Sequence, residues 1–406
     1  MAAVELTDSA ILPPWTLEGH RNPLAWYMAM HARGHIHRDE RSGVWMFLGW
    51  HAVRKFLAQP SLWSVAKRNE TLDESLRVVR LLTSDPPIHG KLRSYFSRSY
   101  RPDRIAQIEE RVRIVSKELM ANCLSKRSFD VVDDYIKMLA IITICELIGI
   151  PESGLEVMSP LTKMVSYLGT PQPAADNPSV LDQLNSGTTV AQSASSVGAY
   201  FLELIEKRRV DRQDDLISDL TKIGQDDVDG QVDIPVLLYE QFGAGTNTTV
   251  HLFVSLIHEL YVQPDLHRRV QKDRSLIVPL IEETLRLHAP LQARPRVLTQ
   301  DTEINGELVK EGTWGLGWLG AANVDPTIFE DPLKFDIDRP HFKHVTFGWQ
   351  EHFCLGTHLA KMELRVALSV WLDAIEEFEP LTGREVQWSK DFILHGADRY
   401  VVQVHS

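Results

Sequence analysis

Residues 347–356 read FGWQEHFCLG, and THLAKMELRVALSVWLDAIEEF follows directly. The second stretch is amphipathic at helical spacing, so it predicts a long helix packed on a core. The first carries Cys354, one of three cysteines in the chain. No other feature constrains the fold as much. A tight loop must deliver one sulfur to the N-terminus of a core helix. Free N–H groups and the positive end of the helix favour a thiolate there. Gly348 permits the sharp turn, and Gly356 lets a flat ligand approach the backbone. Phe347 and Phe353 are expected to shield the sulfur, and His352 adds a donor for an anionic ligand. A shielded anionic sulfur beneath a planar space suits an axial ligand of haem iron. A buried structural cysteine, the commonest fate of a free one, fits this stretch equally well.

The rest of the chain narrows the class. It has 406 residues with no Gly/Ser- or Pro-rich linker and no repeat, which reads as one domain, 1–406. The net charge of -12 argues against nucleic-acid binding. The start, MAAVELTDSAILPPW, has no apolar run of signal-peptide or membrane-span length. Cys123, Cys145 and Cys354 are too few for a disulfide framework. The expectation is a cytoplasmic protein with neither membrane nor nucleic-acid partner.

Helix dominates the pattern. Residues Asp103 to Ile148 read as helical, as do Ile234 to about Val262 and Leu276 to Leu287. GVWMFLGWHAVRKFLAQP predicts strand, turn and short helix. Pro295 to Glu311 predicts a hairpin turning on Asn305–Gly306, and RYVVQV a final strand. Between Thr170 and Ser196 the composition turns to Pro, Ser, Thr and Asn, as in a segment joining two helices. The fold class is mainly α with a small β portion.

Two patterns mislead. Gly315, Gly317 and Gly320 match G-x-G-x-x-G, but AANVDPTIFEDP follows and opens no good helix for a pyrophosphate. Glycines packed under large neighbours are expected instead. His31, His35 and His37 lack an accompanying acidic or thiol pattern and read as solvated surface histidines.

The cysteine stretch resembles the haem-binding signature of cytochrome P-450 enzymes, carried by Phe347, Gly348, His352, Cys354 and Gly356, with Ala360 and Lys361 following. The resemblance implies haem b lying between a long distal helix and the cysteine-loop helix. It makes Cys354 the iron ligand, whose electron donation favours O–O cleavage. Gln350 stands where the family has glycine, so a positive φ is expected there. Glu283 and Arg286 of EETLR look like the family's E-x-x-R pair, implying a buried network with Arg339 of DIDRP that braces the loop. DPPIHGKLR resembles the segment holding the haem carboxylates. His89 and Arg93 lie four apart, so one helical turn presents both donors. Arg296 matches the propionate-binding arginine beyond the pair.

EQFGAGTNTT, residues 240–249, looks like the family's oxygen-activating motif. Ala244 and Gly245 are small and leave room over the iron. Thr248 can bond a carbonyl one turn back and donate towards dioxygen. Asn247 replaces the usual acid, so a proton path must use water, Thr248 or another acid; a purely structural Asn247 fits equally well. Positions 240, 244 and 248 share a helical face, so Glu240 should edge the same cavity. A carboxylate there needs a partner: a substrate, a proton path or a protein arginine.

The resemblance implies a monooxygenase that inserts one oxygen atom from dioxygen into a small organic substrate. No flavin or iron–sulfur domain is visible, so a ferredoxin or flavodoxin with its reductase is expected to supply electrons. Arg98, Arg101, Arg104, Lys343 and Lys361 form a candidate basic docking face. Oxidative coupling, desaturation or peroxide-driven oxidation is the first alternative. A haem-containing ligand-binding or sensor protein without turnover is the second.

Overall fold

The computed structural model describes residues 11–67, 79–158, 195–223, 232–340, 343–383, 386–389 and 393–405. The described helices are α1 (Leu17–Arg21), α2 (Pro23–Arg33), α3 (Trp50–Leu57), α4 (Ile88–Ser97), α5 (Pro102–Leu124), α6 (Lys137–Ile148), α7 (Ser195–Val210), α8 (Leu216–Leu220), α9 (Ile234–Val262), α10 (Pro264–Lys272), α11 (Ile277–Leu287), α12 (Leu319–Ala322) and α13 (Thr357–Ala374). One sheet has the order β1 (Ile36–Arg38), β2 (Trp45–Phe47), β8 (Trp314–Trp318), β5 (Ala293–Leu298), β3 (Trp63–Ser64). A second sets β12 (Val401–His405) between β4 (Ser128–Asp130) and β9 (Glu377–Pro380). Two small ladders join β6 (Thr302–Ile304) to β7 (Glu307–Val309), and β10 (Gln387–Trp388) to β11 (Ala397–Arg399). No described helix is long and apolar enough to cross a membrane.

Local chemistry explains the main boundaries. Asp233 caps α9 by accepting from the Val236 N–H, and Pro235 sits where the helix needs no donor. Pro102 opens α5 in the same way. Phe242, Phe253, Leu256 and Leu260 of α9 are fully buried, as are Leu364, Leu368 and Trp371 of α13. With α5 and α6 these helices form the larger core. A smaller core joins α2 to the first sheet through Trp26, Tyr27, Leu316 and Trp318.

The hairpin turns as expected: Asn305 has φ 52° and Gly306 φ 81°, matching the two left-handed residues of a tight turn. Pro295 lies earlier, inside β5, and belongs to the larger sheet. The helical stretch from Asp103 to Ile148 is interrupted by β4, which pairs with β12 at Phe129–Val402. A partner almost three hundred residues away decides that break, and no local pattern carries it. The joining segment expected between Thr170 and Ser196 lies outside the described residues apart from its last two.

Gly315 and Gly317 sit in β8. A Cβ on Gly315 would come within 2.6 Å of Trp63 and 2.8 Å of Phe56, so the glycines admit those rings and serve no nucleotide. The histidines depart from expectation. His31 is buried, and His37 is half-buried with Nε2 near the Met30 and Gly34 carbonyls at 3.0 and 2.8 Å. Only His35 exposes much of its ring, with 42% of its side chain accessible. Buried Asp325 joins His31 and His35 from the far side of the sequence, where spacing gives no warning.

Candidate active site

The cysteine loop closes on itself. The Cys354 N–H donates to the Phe347 carbonyl at 2.7 Å, and Gly348 N–H to the Val345 carbonyl at 2.8 Å. Gly348 holds φ 78° and Gln350 φ 54°. The positive φ expected at Gln350 is therefore present, in a turn that the Phe353 N–H closes onto the Gln350 carbonyl at 2.9 Å. Helix α13 starts three residues past Cys354. Burial pushes the Cys354 thiol up, while the Gly356 N–H, Arg294 and Arg93 pull it back towards the thiolate. Phe347 is half-buried beside the loop. Phe353 is 41% exposed, so it does not shield the sulfur as expected.

Beside the sulfur lies a cationic pocket. His89 and Arg93 project from α4, and their expected neighbour Arg296 is 5% exposed on β5. His89 and His352 lie against each other with ring centroids 4.1 Å apart and planes tilted by 41°. Burial, then Arg296, His89, Arg294 and Arg93, hold His352 down to about 2, so its ring is neutral. His89 Nδ1 and His352 Nε2 are buried without a partner. Desolvation also lowers Arg93 and Arg294. Such a pocket favours a ligand bearing carboxylates beside Cys354, and the propionates of a haem meet that demand. Arg294 escaped the sequence reading. It lies two residues before Arg296 on one strand, and period-two spacing puts both on one face.

The expected brace is present. Glu283 and Arg286 are both inaccessible. Arg286 donates to Glu283 through Nε at 2.8 Å and Nη2 at 2.7 Å, and to the Asn323, Pro332 and Lys334 carbonyls. Arg339 Nε reaches Glu283 at 3.2 Å. The link onward to the loop was not legible in sequence. Asn323 accepts from the Val345 N–H and donates to Thr346 Oγ1, each at 2.8 Å, and Thr346 donates to the Leu285 carbonyl at 2.6 Å.

On α9, the hydroxyls of Thr246, Thr248 and Thr249 donate to the carbonyls of Phe242, Ala244 and Gly245 at 2.7, 3.0 and 3.1 Å. Ala244 is exposed, and Asn247 and Thr248 are half-buried. Gly245 has a packing role as well. A Cβ there would lie 3.1 Å from Ile144, so this glycine sets the close crossing of α9 and α6. Tyr100 links helix to loop: its hydroxyl donates to Gln241 at 3.0 Å, and its ring lies about 4.0 Å from where a Gly356 Cβ would stand.

Glu240 has partners other than those expected. Its carboxylate accepts the Leu81 and Leu82 backbone N–H groups, each at 3.0 Å, rather than an arginine side chain. It thereby ties α9 to the segment leading into α4. Asp85 pins the same segment from behind, accepting from Val65 and Ala66 N–H and from the Ser64 hydroxyl. Burial raises Glu240 to about 7 against the pull of the two amides and Arg80. The sign is that of an acid protonated more readily in the folded state. Its stability penalty is absent below the unfolded value and complete above about 7. Glu240→Gln should therefore gain on the parent by about 2 kcal/mol between about pH 5.5 and about pH 8. Urea unfolding at both values measures it; equal differences at the two would refute the shift.

The candidate basic docking face is largely self-paired. Arg98 and Arg104 both meet Asp214, Arg101 meets Asp103, and Lys361 meets Glu282. Lys343 is exposed. Between α5, α11 and α13 runs a groove of about 270 Å³, lined by Ile105, Val278, Ile281 and Met362 with the Glu109–Arg365 pair at its side.

A family profile described as Cytochrome P450 matches residues 65–388. The chain is 29% identical over 354 residues to "Cytochrome P450 109" of Bacillus spizizenii, covering 86% of this chain and 83% of that protein. It is 31% identical to "6-deoxyerythronolide B hydroxylase" of Saccharopolyspora erythraea, covering 79% of this chain and 77% of that protein. The structure of cytochrome P450 CYP109Q5 from Chondromyces apiculatus superposes with a TM-score of 0.81 at 26% identity, covering 97% of this chain and 98% of that one.

Proposed function

The chain belongs to the cytochrome P450 family of oxidoreductases, and from that premise we propose that it inserts one oxygen atom from dioxygen into a small organic substrate. Electrons come from a separate ferredoxin or flavodoxin with its reductase, in the cytoplasm. The observation that carries this reading is Cys354, held by a closed loop and a Gly356 N–H beside a partly buried cluster of arginines and histidines. Haem b, when bound, supplies the redox centre for dioxygen activation.

The protein's own groups divide the remaining work. Cys354 is the iron ligand. Arg93, Arg294, Arg296, His89 and His352 hold the propionates. Ala244 leaves space on the distal side. Thr248 rests with its proton on the Ala244 carbonyl, so its lone pairs can accept from a water in the cavity. Turned away from that carbonyl, the same hydroxyl can donate its hydrogen bond into the cavity, and any proton it passes on is replaced from the water it accepts from. Asn247 orients water but supplies no proton. Glu240 titrates near neutrality one turn earlier and can exchange protons with the cavity while bound to Leu81 and Leu82.

Thr248→Ala should leave haem content nearly intact while most electrons pass to hydrogen peroxide. Unchanged coupling of electrons to product would remove Thr248 from the path. Asn247→Asp should raise coupling if the missing acid is limiting. The whole reading is tested with purified protein, a ferredoxin–reductase pair and a ligand screen for shifts of the haem spectrum. A ligand found there should yield product carrying oxygen from labelled dioxygen. Product labelled only from peroxide or water would refute the monooxygenase reading.

A further inference from the structure

Away from the cysteine loop, His31, His35 and Asp325 converge. One ring nitrogen of each histidine and one Asp325 oxygen lie within 4.8 Å of one another. His31 comes from the last turn of α2, His35 from just before β1, and Asp325 from the turn after α12.

Each donor is aimed by its surroundings. His31 donates its Nε2–H to the Ala321 carbonyl at 2.9 Å, which leaves the lone pair on Nδ1. That Nδ1 is buried and has no partner, in a residue only 8% exposed. One ring N–H on a backbone carbonyl and a bare second nitrogen is the arrangement of a metal-ligating imidazole. His35 is seated against Gly49, where any Cβ would overlap its ring, and its carbonyl accepts from Leu48 and Gly49 N–H at 2.8 and 3.3 Å. Asp325 has no exposed side-chain surface. Its Oδ1 accepts from the Thr327 N–H and hydroxyl at 2.9 and 2.7 Å, and its Oδ2 from the Trp50 N–H at 2.8 Å.

The decisive spacing is between His35 Nδ1 and Asp325 Oδ2, which stand 3.5 Å apart. That is too long for a good N–H···O bond. It is close to the separation of two ligands on one tetrahedral ion, where donors about 2.1 Å from the centre stand about 3.4 Å from each other. Bringing in a third donor from up to 4.8 Å takes a small ring movement, which the 42% accessible side chain of His35 can make away from Gly49.

We propose that His31, His35 and Asp325 bind a divalent transition ion of the zinc class through two imidazole nitrogens and one carboxylate oxygen. Calcium and magnesium prefer all-oxygen sets, whereas imidazoles suit zinc, nickel and copper. The fourth position opens towards solvent past His35. The ion clips α2 to the turn after α12. Asn323, which holds the cysteine loop, lies two residues before Asp325. The ion therefore acts on stability and haem retention and takes no part in turnover.

The test uses the haem-loaded protein, stripped with a chelator and titrated with zinc chloride by calorimetry, with calcium chloride as control. The expected result is one zinc per chain, a higher melting temperature with zinc and no calcium heat. His35→Ala and His31→Ala should each weaken zinc binding at least tenfold. His35→Ala, at a half-exposed ring, should keep its haem content and its zinc-free melting temperature. If His31→Ala fails to hold haem, His35→Ala alone decides. Absence of zinc binding, equal affinity in parent and variants, or loss in only one of two folded variants would each overturn the three-ligand site.

Discussion

Cys354→Ala protein, reduced under carbon monoxide, should show none of the thiolate-type haem spectrum. No other sulfur can stand in. Cys123 and Cys145 are 0% and 1% exposed, on α5 and α6, and burial pushes both thiols up to about 12. Only Cys354 has a backbone N–H and two arginines that favour its thiolate. Haem that still enters the variant would rest on the cationic pocket without a sulfur ligand. The spectrum should then be that of a nitrogen-ligated or five-coordinate haem. A retained thiolate spectrum would return Cys354 to a structural role and remove the basis of the proposed reaction. The loop itself should survive, because its closure uses the backbone of residues 345–354 rather than the sulfur.

Arg286→Ala should be the most destabilising single change in the brace. It leaves Glu283, which is fully inaccessible, without its bidentate partner and strips donors from the Asn323, Pro332 and Lys334 carbonyls. Removing one partner of a buried pair costs about 3–5 kcal/mol. Arg339 remains within 3.2 Å of Glu283 and softens the loss without replacing the fork. Arg286→Lys keeps the charge but cannot span the same acceptors, so it should fall between parent and alanine variant. Denaturant unfolding with haem retention measured in parallel checks the order. An alanine variant as stable as the parent would mean that the pair holds nothing the fold needs.

The length of α9 was legible from helical spacing and the cysteine loop from its own glycines, aromatics and histidine, whereas the buried E-x-x-R network was expected only through the resemblance to the P450 family. Gln350 was legible through the same resemblance: a position where the family has glycine keeps its backbone shape when another residue takes it. What escaped depends on chain segments meeting late. Asn323 carries the brace to the loop through two bonds to residues more than twenty positions away. Asp325 meets His31 and His35 from almost three hundred positions away. Glu240 was placed on the right face, yet its partners are backbone N–H groups, which every residue carries and no sequence marks. Arg294 alone was within reach, since strand alternation sets it beside Arg296.

The ion pairs around the groove between α5, α11 and α13 decide at what range this face can be felt. A cation already matched by a neighbouring carboxylate casts a dipole, whose potential decays faster than that of a lone charge, and physiological salt screens what remains within about 8 Å. Lys361 and Arg365, which line the groove, are matched in this way. A protein approaching this side meets little long-range attraction. For any protein that did dock on this groove, discrimination would fall to contact: the fit to Ile105, Val278, Ile281 and Met362, and the readiness of each pair to exchange its internal carboxylate for one on the visitor. Association of that kind is slower than electrostatically guided capture and loses less when salt rises.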